Sequence, residues 1–104
     1  MSNSRFDKLI EMLEQQPDDL FLQYALGMEY LGMGKTADAE KQFRAILLVD
    51  AHHVASYYQL GKLLEGTDEC EAIQIYEKGM AEAKLRNDLK TMNEFRSALD
   101  ELLY

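Results

Sequence analysis

Gln23-Tyr24-Ala25-Leu26-Gly27-Met28-Glu29-Tyr30 recurs along the chain as Tyr57-Tyr58-Gln59-Leu60-Gly61-Lys62-Leu63-Leu64, with the Leu-Gly pairs 34 residues apart (60 minus 26). A second echo follows each copy. Ala39 and Phe43, separated by three residues, return as Ala72 and Tyr76, here 33 apart because the second turn is one residue shorter. A period of about 34 residues built on a helix–turn–helix unit marks a solenoid, in which each unit buries its apolar face against a neighbour.

Working outward, breaks fall at 16–19, 32–35, 50–53, 66–68 and 87–88, where Gly, Pro, Asn, Asp and His collect. The segments between them have helical periodicity and predict six helices, at about 4–15, 19–32, 36–49, 53–65, 69–86 and 89–103. Short connections predict antiparallel hairpins. Ser4 with Asp7, and Asp68 with Glu71, have capping-box spacing. Asp18, Thr36 and Asn87 or Asp88 are expected to cap the other starts. Toward the end, Ile73, Tyr76, Met80 and Ala83 form one stripe and Met92, Phe95, Leu99 and Leu102 another, so the last two helices are expected to face each other.

Composition agrees with an all-α domain. The 104 residues are 47% hydrophobic, contain one proline, and include only two valines, Val49 and Val54, which disfavours sheet. A net charge of −8 counts against nucleic acid and against anionic membrane surfaces, both of which need clustered cations. One cysteine, Cys70, allows no internal disulfide and suits a reducing compartment. No stretch has the length of a signal peptide core or a membrane span, so the expected location is cytoplasmic.

At the repeated residues the chain resembles the tetratricopeptide-repeat family. That family's pattern has an aromatic at repeat position four, Leu-Gly at seven and eight, and a large residue at eleven. Small residues follow at twenty and twenty-seven, an aromatic at twenty-four and a proline at thirty-two. Repeat one, 20–53, matches at Leu26, Gly27, Tyr30, Ala39 and Phe43, and departs at Gln23, Ile46 and Ala51. Repeat two, 54–86, matches at Tyr57, Leu60, Gly61, Leu64, Ala72, Tyr76 and Gly79 but lacks the proline. Pro17 fits the end of a preceding half-repeat, 4–17, and 87–104 reads as a C-terminal capping helix. The resemblance implies one domain, 1–104: a right-handed stack of about 2.5 repeats. In this reading Gly27 and Gly61 let paired helices approach, while Phe43 and Tyr76 fill the space between hairpins.

The helix at 19–32 is apolar on two sides. Besides its packing stripe it carries Phe21, Tyr24, Met28 and Leu31, a second stripe at three-four-three spacing, and a helix apolar nearly all round must be covered nearly all round. By resemblance, these residues hold the positions that line a concave groove, and Ala55, Tyr58, Lys62 and Glu65 hold the same positions in repeat two. The groove would be aromatic and Met-rich at one end and charged at the other, suited to a peptide or amphipathic helix of a partner protein. Two other readings stand beside this preferred one: self-association, with a homodimer covering the stripe, and ordinary intramolecular core. The carboxylate clamp of lysine, asparagine and arginine found in some family members is not expected, since Tyr24, Met28 and Gln59 stand there instead.

No catalytic constellation competes with binding. His52-His53 beside Asp50 lacks further ligands at metal spacing and reads as a solvated loop. Cys70 is flanked by Glu69 and Glu71, which oppose a lowered thiol pKa, and reads as packed or inert. No phosphate-binding glycine loop is present. The expectation is a scaffold or adaptor without cofactor or metal, not an enzyme.

Overall fold

A computed structural model describes residues 4–104, and among them it is all-α, without strands. The six helices are α1 (Ser4–Gln15), α2 (Leu20–Gly32), α3 (Thr36–Val49), α4 (Val54–Leu64), α5 (Glu69–Leu85) and α6 (Leu89–Leu103). Each lies within one residue of the expected bounds. The chain divides into two units, the first ending at Val49 and the second running Asp50–Tyr104.

In the first unit α1 packs on α2, and α2 forms a hairpin with α3. Its core is Leu9, Leu22, Leu26, Ala39, Phe43 and Ile46. The hairpin is tight because Gly27 has no side chain: a Cβ there would stand 2.7 Å from Phe43 Cε1. Phe43 therefore fills the space the glycine leaves inside its own hairpin, which refines the expected role of a spacer between hairpins. Gly34, at φ 75°, then reverses the chain. Its N–H donates to the Leu31 carbonyl and that of Lys35 to the Tyr30 carbonyl, at 3.0 and 2.9 Å, the paired bonds of a Schellman motif.

Two expected caps move. Asp19, not Asp18, caps α2 by accepting from the Leu22 N–H at 3.1 Å. Pro17 and Asp18 are spent in the turn that Asp19 N–H closes onto the Gln16 carbonyl. Thr36 is the first residue of α3 rather than its cap, because the Lys35 carbonyl already accepts the Ala39 N–H. Ser4 and Asp7, expected to form a capping box, lie in the first turn of α1, and the residues before Ser4 are outside those described.

In the second unit α5 packs against both α4 and α6. The glycine device recurs twice. A Cβ on Gly61 would collide with the Tyr76 ring, and one on Gly79 would stand 2.5 Å from Phe95 Cε1 and 2.9 Å from Tyr57 Cβ. The buried stripe of α5 is Ala72, Ile75, Tyr76, Gly79 and Ala83. Ile73 and Met80, expected on it, are only half-buried at its edge. A helix with two neighbours broadens its buried arc toward the small residues that permit close approach. On α6, Phe95, Ala98 and Leu99 are buried, with Met92 and Leu102 half-buried beside them. Asp68 and Asp88 cap α5 and α6 by accepting from Glu71 N–H at 3.0 Å and Thr91 N–H at 3.1 Å. A second Schellman motif ends α5, with Asn87 at φ 54° in the place Gly34 takes after α2.

Candidate functional site

The stripe of α2 is divided by its surroundings. Phe21 is 79% exposed and Met28 39% exposed, although both are large and apolar. Tyr24 between them is half-buried, its ring 5.6 Å from that of Phe43 and tilted by 54°. Leu31 is also half-buried.

Phe21, Tyr24 and Met28 line a concavity of about 770 Å³, with Ala25 between them. Leu9 and Arg5 of α1 form another part of its lining, and Gly32 and Met33 contribute at the end of α2. Arg5 and Leu9 share a face of α1 by their spacing of four, which was legible in the sequence; that this face borders α2 was not. Arg5 reaches Glu29 at 3.8 Å across the concavity's margin. Arg5 is exposed whereas Glu29 is largely covered, and a pair this long with one solvated partner contributes about 1 kcal/mol or less. α1 is held to α2 mainly by packing, including Phe6 against Tyr30 at 5.6 Å between ring centroids.

The equivalent positions on α4 are differently employed. Ala55 is exposed. Tyr58 is half-buried in an aromatic cluster, 5.6 Å from Phe95 and 6.1 Å from Tyr76. The Lys62 ammonium sits 5.5 Å from the Tyr58 ring centroid and 3.6 Å from the Glu65 carboxylate. Glu65 accepts a hydrogen bond from the Tyr76 hydroxyl. Burial, and then that bond to a carboxylate, push the Tyr76 phenol well above its ordinary pKa, so it stays a neutral donor. Three of these four residues, of which Glu65 caps the end of α4, are thus engaged with one another or with the packing of their unit.

His52 is exposed in its turn, as expected, whereas His53 is less solvated than expected. His53 is half-buried with Nδ1 2.8 Å from Ser56 Oγ, and His52 Nδ1 is 2.8 Å from a Glu82 carboxylate oxygen. The Arg86 guanidinium donates to the His52 carbonyl, and the Tyr57 hydroxyl to the Ala51 carbonyl at 2.7 Å, so the 50–53 turn is tied to its unit's helices. Among the described residues no three His, Cys, Asp or Glu side chains are grouped to hold a metal. Cys70 is exposed rather than packed. No helix among those residues is long and apolar enough to cross a membrane.

No family model and no curated protein matches the chain. Solved structures do. It is similar to a tetratricopeptide repeat domain protein from Salinibacter ruber in solution, with 32% identity, TM-score 0.78, and 84% of this chain and 89% of that one covered. A crystal structure of a tetratricopeptide repeat domain protein from the same organism gives 31% identity and TM-score 0.77, covering 82% and 96%. A protein from Bordetella parapertussis, solved in solution, is 31% identical with TM-score 0.84, covering 98% of this chain and 89% of that one.

Proposed function

The chain belongs to the tetratricopeptide-repeat family, and from that premise we propose that it is an interaction scaffold that holds a peptide or helix of a partner protein. The family's fold serves protein–protein interaction in general. Phe21, Tyr24 and Met28 supply the apolar anchors, Leu31 flanks them, and Ala55, Tyr58, Lys62 and Glu65 form the more polar counterpart in the second repeat. In this reading 4–17 is a half-repeat, 20–53 and 54–86 are full repeats, and 87–104 is a capping helix. The observation that carries the reading is Phe21, an aromatic 79% exposed at the edge of a 770 Å³ apolar concavity. An exposed apolar patch in a concave site is an ordinary mark of a binding surface. Buried aromatics supply most of the affinity in such sites.

The protein works as an adaptor and not as an enzyme, in a reducing cytoplasmic compartment where an exposed thiol such as Cys70 persists. A homo-oligomer that covers the same residues with a second copy is the alternative. Affinity capture with the wild type and with a Phe21→Ala, Met28→Ala variant tests the proposal. A partner retained by the wild type and lost by the folded variant supports it. Retention by both sinks it.

A further inference from the structure

The turn between α5 and α6 reverses the sign of the chain. Three of the eleven lysines and arginines, Lys84, Arg86 and Lys90, fall within residues 84–90, against the single carboxylate of Asp88. All three cations are exposed. Asp88 is occupied as the cap of α6, accepting from the Thr91 N–H at 3.1 Å and from the Thr91 hydroxyl at 2.7 Å. Between the cations stand Leu85, 78% exposed, and Leu89, 68% exposed. Neither contributes to the core, yet one ends a helix and the other begins the next, where polar residues satisfy free backbone groups more readily.

The turn is also well defined. Asn87 N–H donates to the Lys84 carbonyl and Asp88 N–H to the Ala83 carbonyl, both at 3.0 Å. Arg86 is anchored on the His52 carbonyl. A surface ordered beforehand loses little freedom when it binds.

We propose that this turn is a docking surface for an acidic, leucine-bearing segment of a partner protein, its carboxylates meeting Lys84 and Lys90 and its apolar side chains covering Leu85 and Leu89. Charge complementarity selects the occupant. At physiological salt the field of exposed charges decays over about 8 Å. Of the nearest flanking carboxylates, Glu82 is largely covered and held by His52, and Glu94 lies a turn further along α6, so a short acidic segment that touches only 84–90 meets three cations against one carboxylate. An extended anionic membrane would face the rest of a chain whose net charge is −8, and two leucines are a small anchor for a bilayer. This surface is independent of the α2 concavity, and either can fail without the other.

The test is titration of the ¹⁵N-labelled full chain with two synthetic amphipathic peptides of equal length and identical leucine placement, one with glutamates and one with lysines. The glutamate peptide is expected to shift the amides of 84–90 and to weaken as salt rises. Lys84→Glu with Lys90→Glu should lower its affinity roughly tenfold and favour the lysine peptide. Leu85→Ser with Leu89→Ser should abolish the shifts without changing the melting temperature, and Phe21→Ala should leave them intact. The proposal is overturned if both peptides bind equally, if the shifts appear on α2 instead, or if phosphatidylserine vesicles perturb 84–90 and the glutamate peptide does not. Absence of any shift at millimolar glutamate peptide overturns it as well.

Discussion

Gly27 and Gly61 each put, inside a helix, a residue that weakens it by about 1 kcal/mol relative to alanine. The neighbours show what offsets that cost: Phe43 and Tyr76, both fully buried, lie where a Cβ would be. Removing such a ring altogether costs about 3–5 kcal/mol, and displacing it approaches that. Gly27→Leu should therefore lower the melting temperature by at least about 12 °C, read by circular dichroism; a shift of a degree or two would refute the packing account. Tyr76 supplies a second expectation. Burial and Glu65 raise its folded pKa while the unfolded phenol titrates near 10.0, so its contribution is complete below pH 10 and declines above it. Tyr57 is raised in the same direction, by burial and then by Glu82 and Asp50. Tyr76→Phe should flatten the alkaline loss of stability between pH 9 and 11 without abolishing it, and an unchanged profile would remove Tyr76 from the account. Both Leu-Gly pairs were legible from the repeat. The partner of Gly79 was not, because Phe95 lies on α6, outside the repeat spacing.

Helix ends were legible as regions more than as residues. Pro17-Asp18-Asp19 contains two suitable acceptors, and the choice of Asp19 depends on Asp18 being consumed in the turn that closes on Gln16. Asp19→Ala should cost about 1 kcal/mol in denaturant melts, and Asp18→Ala a few tenths at most. At α6 the Thr91 hydroxyl and then its N–H hold the Asp88 carboxyl below its ordinary value of 3.8, with Lys90 and Arg86 adding to them. A lowered folded pKa means that the cap's contribution is present above pH 3.8 and fades as pH falls below it. Asp88→Asn should accordingly lessen the acid sensitivity of melting between pH 5 and 2, and an identical acid limb in both proteins would count against the cap. The stripes of α5 and α6 were readable in outline, but the arc buried on α5 depends on its having two neighbours, which periodicity alone does not reveal.

For the whole molecule, the open question at α2 is what covers Phe21 and Met28. Light scattering across a hundredfold dilution, on the wild type and on a Tyr24→Ala, Met28→Ala variant, separates the occupants. A wild-type monomer leaves the stripe for another protein. A dimer that the variant breaks makes it the protein's own interface and ends the proposal of a foreign partner. The sequence by itself determined the all-α class, the six helices and the 34-residue repeat, because periodicity, breakers and the Leu-Gly spacing are local or nearly local signals. It also marked α2 as apolar on two sides. Only the tertiary structure decided that α1 brings Leu9 and Arg5 to that second side, that Tyr58 and Glu65 are drawn into the aromatic packing of their unit, and that Leu85 and Leu89 stand exposed among cations. Which side of an amphipathic helix meets a neighbour and which meets water is set by contacts distant in sequence, and no local spacing encodes them.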